Sequence, residues 1–161
     1  MTRYPNSVGA DNSNYIATTG LVASTVTVGG LVELSGVEVV TATNVITASE
    51  NGKTFFLSSA TEFVSTLPAP AAGLHYTFIV SAAPTGASYT VVTTSSANII
   101  KGVCFSAAGD AGDTGTADDT ITFVDGQSLA GDRVDVISDG TSWFAYGQAR
   151  VAAGITFTQA S

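Results

Sequence analysis

Charge is scarce in this sequence. Asp, Glu, Lys and Arg make up 11% of its 161 residues, where an ordinary soluble domain carries about 25%. Thirteen are acidic and five basic, a net charge of −8. Nothing here could neutralise a row of phosphates, so a nucleic-acid partner is not expected. Cys104 is the single cysteine, which excludes an intrachain disulfide and a cysteine-based zinc site. No apolar run approaches the ~18–20 residues of a membrane-spanning helix, so no membrane partner is expected. The segment Met1-Thr2-Arg3-Tyr4-Pro5-Asn6-Ser7 has no apolar core of the kind a secretory signal needs, and none is expected. Heptads are absent, and with them a coiled-coil shaft. Helix formers such as Glu, Lys, Gln and Leu are few.

What is present points one way. The chain is 45% hydrophobic, too apolar for a disordered segment. It is rich in Thr, Ser, Val and Ala and holds 17 glycines. β-Branched residues favour strands, while Gly and Asn favour turns. The expected class is all-β, a β-sandwich or jelly-roll-like barrel with an extended N-terminal arm. Residues 1–20 read as the arm, 21–44 as connecting short strands and 45–161 as one β domain. The arm has no hydrophobic period, and Tyr4, Tyr15 and Ile16 are its candidate anchors for docking on a partner. The sparse charge suggests that much of the surface faces other protein.

Strand signals strengthen from residue 37. Val45-Ile46-Thr47-Ala48-Ser49-Glu50 runs into Asn51-Gly52 and then Lys53-Thr54-Phe55-Phe56-Leu57. Asn-Gly between two such runs predicts a type I′ hairpin. Glu50 would then face Lys53, Ala48 face Phe55 and Ile46 face Leu57. Glu62 to Leu67 predicts a strand that ends at Pro68 and Pro70. From Leu74 to Val80, alternation places Leu74, Tyr76, Phe78 and Val80 on one face. Further strands are expected around 89–94, 99–100, 120–124, 133–138 and 141–146, with a loop over 106–118. No tandem repeat of the solenoid kind is visible.

Asp139-Gly140 predicts a second two-residue hairpin. Ser138 would face Thr141, Val136 face Trp143 and Val134 face Ala145 on an apolar side. The opposite side would pair Ile137 with Ser142, Asp135 with Phe144, and Arg133 with Tyr146, the guanidinium lying on the ring. A side exposed to water should be mostly polar. This one carries Ile137, Phe144 and Tyr146, so both faces are expected to be covered. The second cover is either another layer of the same sandwich or a subunit interface, and the interface is the favoured reading.

Candidate chemistry is thin. His75 is the only histidine, and no G-x-S-x-G elbow accompanies it; it reads as a surface or interface residue. Asp110, Asp113, Asp118 and Asp119 cluster without the spacing of a calcium loop and read as a solvated acidic loop. Asp132 and Asp135 lie three apart on a strand, which points them to opposite faces and argues against a paired-carboxylate site. Cys104 reads as a small buried apolar residue. No catalytic residue, metal ligand or cofactor is expected, and no enzyme activity.

Three segments carry a resemblance. Thr66-Leu67-Pro68 with Gly73-Leu74-His75-Tyr76-Thr77-Phe78, then Gly131-Asp132-Arg133-Val134, then Ser138-Asp139-Gly140-Thr141-Ser142-Trp143, together resemble a β module of tailed-bacteriophage virion proteins. It occurs in capsid decoration (cement) proteins, head fibres and tail-fibre parts. The resemblance spans about residues 45–148 and rests on turn and core residues. It implies a structural virion role, commonly as a homotrimer, at the capsid surface against the major capsid protein. The alternative it leaves open is a head- or tail-fibre module that binds a host receptor or glycan, with Trp143 beside Asp139 as a weak sugar site.

Overall fold

The computed structural model describes residues 36–107 and 113–159. They form twelve strands in two mixed sheets packed face to face. In chain order these are β1 (Val37–Val40), β2 (Asn44–Val45), β3 (Thr54–Leu57), β4 (Phe63–Thr66), β5 (His75–Val80) and β6 (Tyr89–Val92). They continue with β7 (Ile100–Ser106), β8 (Thr114–Asp118), β9 (Thr120–Phe123), β10 (Arg133–Ser138), β11 (Trp143–Ala149) and β12 (Ile155–Thr158). Sheet A has the order β1-β3-β5-β10-β11-β7-β8 and sheet B the order β12-β9-β6-β4-β2. The expected all-β sandwich is therefore what forms. Its many parallel pairs set it apart from a jelly roll, which is built from antiparallel strands.

The first six strands alternate between the sheets. β1, β3 and β5 pair in parallel in sheet A, and β2, β4 and β6 pair in parallel in sheet B. The chain thus winds three times around the core like a short two-sheet coil. Val37, Thr54 and Thr77 occupy one register position in successive turns. Those steps are unequal and the residues differ, so no sequence repeat announces the coil.

The winding corrects the first expected hairpin. Residues 51–52 do turn, but as a type II turn, with Asn51 at φ −50°, ψ 132° and Gly52 at φ 83°. Lys53 N–H donates to Glu50 O at 3.0 Å. Before the turn the chain belongs to sheet B, and after it to sheet A. Ile46 therefore does not pair with Leu57, nor Ala48 with Phe55; residues 48–50 form a 3-10 turn instead. The turn is pinned to β5, since Asn51 Oδ1 accepts from His75 N–H at 2.8 Å and Gly52 N–H donates to His75 O at 2.8 Å. Two further expectations change. Thr114–Asp118 is an edge strand of sheet A within the expected loop. Ile155–Thr158 is a strand that alternates buried and outward residues and was not anticipated.

The core lies between the sheets and is aromatic. Phe55, Tyr76, Phe78 and Trp143 of sheet A and Phe63, Tyr89 and Phe123 of sheet B are fully buried. Phe55 stacks on Phe78 with centroids 5.3 Å apart, and Phe63 on Tyr89 at 4.5 Å. Each such pair adds about 0.5–1.5 kcal/mol beyond its buried area. Both tyrosine hydroxyls are satisfied: Tyr76 donates to Thr47 O at 3.0 Å, and Tyr89 bridges Ser59 and Ala82 carbonyls. Gly102 lets β7 lie against β11, because a Cβ there would stand 2.3 Å from Ala145 O.

Lys53 joins two carboxylates at the β1 end, Glu38 and Glu50, each at 2.7 Å. Burial pushes the Glu50 carboxyl up, but hydrogen bonds from Lys53 and Thr47 together outweigh it and hold it down at about 2. A carboxylate with a lowered folded value contributes stability above its unfolded value of about 4.5 and loses it as pH falls toward about 2. The wild type should therefore lose, between those pH values, a stability advantage over Glu50→Gln that it holds at neutral pH. Urea midpoints measured against pH check this. At the same turn, Gly52→Val forces a β-branched residue to positive φ and should cost about 1–3 kcal/mol. Lys53→Ala should cost at most ~1 kcal/mol. Equal midpoint shifts for the two variants would contradict the turn.

Candidate functional site

The outer faces of the two sheets differ in their balance of side chains. Sheet B turns mainly threonine outward, at Thr66, Thr90, Thr120, Thr122, Thr156 and Thr158, together with Val64, Val92 and Val45, the last 70% exposed. Sheet A turns out more apolar side chains, rings among them. Its outward positions include Val37 and Val39 on β1, Phe56 on β3, Ile79 on β5, Ile137 on β10, Phe144 and Tyr146 on β11, and Phe105 on β7. Val37 is 68% exposed, Val39 60%, Phe105 62%, Tyr146 58% and Ile137 47%. Exposed apolar side chains gathered on one sheet face mark a candidate interaction surface.

A polar centre divides this face. Arg133 donates through Nε and a terminal nitrogen to the two oxygens of Asp135, both at 2.7 Å. Thr77 donates its hydroxyl to Asp135 at 2.6 Å, and His75 Nε2 stands 3.8 Å from the same carboxylate. Burial pushes Asp135 up, but the hydrogen bonds from Arg133 and Thr77 outweigh it and hold the carboxyl below its usual value. The hydrogen bond to Asp135 raises Arg133 in turn. The two charges neutralise each other within the chain. At one border Lys101 lies 5.7 Å above the Phe144 ring and donates to Ser142 at 3.2 Å.

Arg133, Ile137, Phe144 and Tyr146 thus share one outward face, as the alternation predicts. Their register is corrected. Ser138 pairs with Trp143, Ile137 with Phe144, Asp135 with Tyr146 and Arg133 with Gln148, a shift of two from the expected pairing. The loop is four residues, Asp139 to Ser142. Asp139 Oδ1 causes the widening, since it accepts from the Thr141 N–H and hydroxyl and from Ser142 N–H at 2.8–2.9 Å. Those bonds, led by the one from Ser142, lower the Asp139 carboxyl. The expected stack of Arg133 on Tyr146 gives way to the Arg133–Asp135 pair. No second layer of described residues covers the face. Tyr4, Tyr15 and Ile16 lie outside the described residues.

Sequence reasoning did not bring Phe105, Val37, Val39, Phe56 and Ile79 to this face. Part of the signal was available, because a buried Cys104 turns its neighbours Val103 and Phe105 outward. The parallel pairing of β7 with β11 was not readable.

The segments that carry the phage resemblance build turns rather than a site. Gly73 N–H donates to Ser138 O at 2.9 Å and Ser138 N–H to Leu74 O at 2.8 Å, so the first and third segments clasp each other. Asp132, buried, accepts from Ser128, Leu129 N–H and Arg150 N–H and ties the start of β10 to the end of β11. Trp143 is fully buried against Tyr76. It cannot stack on a sugar, and the Trp143–Asp139 candidate is removed. Of the acidic cluster, Asp119 is buried rather than solvated and accepts from Thr120 at 2.7 Å. Asp113 accepts from Phe157 N–H at 2.7 Å; Asp110 lies outside the described residues.

Cys104 is buried as expected. Burial first, then the charges of Asp132 and Asp113, push its thiol up to about 11. The nucleophilic form is the thiolate, so the native protein should label with Ellman's reagent at pH 8 at least tenfold more slowly than the urea-unfolded chain. Equal labelling rates would place the thiol in solvent.

Set against known proteins, the chain matches no family model, no curated protein and no solved structure.

Proposed function

We propose that this chain is a structural virion subunit, a capsid decoration (cement) protein that binds the outer surface of the major capsid protein and stabilises it, as a homotrimer. The observation that carries the reading is the outer face of sheet A. Its broad apolar surface, with an ion pair satisfied inside the chain, suits permanent burial in an assembly rather than a life in water. The low charge and the resemblance of the turn segments support the same role. A second reading has one observation in its favour. Phe105, Arg133, Asp135, Tyr146 and Gln148 line a shallow depression whose exposed rings and planar polar groups suit a sugar. That would make the chain a head- or tail-fibre module with a glycan receptor.

Counting copies by mass spectrometry of purified particles separates the two. Many copies per particle fit decoration, few fit a fibre, and none would overturn both. The arm gives a second measurement. Replacing Tyr4, Tyr15 and Ile16 together by alanine should leave the circular dichroism of the chain unchanged and weaken its binding to particles at least tenfold. Undiminished binding would remove the arm from the attachment.

A further inference from the structure

We propose that Asn51 is a site of self-modification that the native turn holds shut. Opening of the turn releases the reaction, and one of its products keeps the turn from closing again. This holds whether or not the chain is a virion subunit. Asn51-Gly52 is the single Asn-Gly step of the sequence. The backbone nitrogen that follows an asparagine can attack the side-chain carboxamide, and glycine hinders the attack least because it has no Cβ. The new bond joins Gly52 N to Asn51 Cγ. The bond from Cγ to Nδ2 breaks, and Nδ2 leaves as ammonia with the proton that Gly52 N gives up through solvent. Water then adds to one of the two carbonyls of the cyclic imide, and the C–N bond there breaks, its nitrogen taking back a proton. One opening gives aspartate. The other gives isoaspartate, whose main chain runs through Cβ and Cγ and is longer by an atom.

Three features of the native turn oppose the first step. Ring closure needs the Gly52 nitrogen alongside Cβ of Asn51, and at ψ 132° it is turned away from that side. The nitrogen must lose its proton to attack, and that proton is held by His75 O at 2.8 Å. The carboxamide must swing toward the nitrogen, and its Oδ1 is held by His75 N–H at 2.8 Å. Both bonds run to the main chain of β5, which lies between β3 and β10 within sheet A, so no side-chain rotation at His75 frees Asn51. Release needs the turn to part from β5, a local opening of the kind that precedes global unfolding. Asn51 is itself exposed, so water reaches the group once the bonds part. Isoaspartate does not fit the closed turn. Gly52 is set at φ 83°, and the chain after it enters β3 with Thr54 opposite Thr77. An added main-chain atom before Gly52 displaces either the bonds to His75 or that register. Aspartate keeps the chain length and an oxygen that accepts from His75 N–H, so it closes the turn.

Ageing the full chain in two states tests this. The protein is held at pH 8 in native buffer and, in parallel, unfolded in guanidinium chloride, and the mass of the peptide containing Asn51 is followed. The unfolded chain should lose the Asn51 amide at least tenfold faster than the native one. Equal rates would overturn the gate. The aged unfolded chains are then refolded into urea at the wild-type midpoint and given a short pulse of protease, which digests unfolded molecules. Isoaspartate at position 51, distinguished from aspartate by its fragment ions, should be depleted at least tenfold among the survivors. The variant Asn51→Asp, made directly, should survive the same pulse to about the wild-type extent. Isoaspartate chains that survive as well as wild type would overturn the second half of the proposal. An Asn51→Asp chain digested as fully as the isoaspartate chains would also overturn it, by assigning the damage to the new charge rather than to the longer main chain.

Discussion

One contact organises this protein: the inner face of sheet A against the inner face of sheet B. Each strand contributes to it every second residue, because side chains alternate across a pleated sheet. The coil of β1 to β6 crosses from one sheet to the other at every step, so each crossing must end with its strand in the right parity or a core residue is lost to water. That explains why the turns are so heavily fastened. The turn at 51–52 is bonded on both sides to His75, and the turns at 73 and 139 are bonded to each other. Asp132 fixes a third set from a buried position.

The class and most strands were legible, for physical reasons. Leu74, Tyr76, Phe78 and Val80 alternate with smaller or more polar residues, and all four are buried. The prolines at 68 and 70 end β4 where a ladder donor is lost. What could not be read was which strands pair. Residues 51–52 look like a local hairpin because Asn-Gly tolerates positive φ at both central positions of a type I′ turn. A type II turn needs it at the second position only, and the same dipeptide serves. The choice was decided by partners distant in sequence, β4 for β2 and β5 for β3, which no local pattern encodes.

The β10–β11 hairpin shows what survives such an error. Asp139 hydrogen-bonds forward along its own loop, the ordinary habit of Asp in turns, and holds four residues where two would have closed the strands. The register moves by two. Because the side-chain period is also two, every residue keeps its face. Val134, Val136, Trp143 and Ala145 remain in the core, and Ile137, Phe144 and Tyr146 remain outside. The face was therefore visible in the sequence although the pairs across it were not. Its full breadth was not visible, since Val37 and Phe105 join it only through the strand order of sheet A.

An apolar outer face on a folded chain carries a hazard, since any similar surface could stick to it. The polar centre narrows that hazard. An incoming surface that covers Arg133 and Asp135 must not part them, because an isolated buried charge is far more costly than a buried pair. It must also leave Thr77 bonded to the carboxylate, or an unsatisfied oxygen is added to the loss. An apolar surface leaves these bonds in place but offers nothing to the remaining donors and lone pairs that it strips of water. The polar centre thus contributes to choosing among occupants more than to the strength with which any one is held.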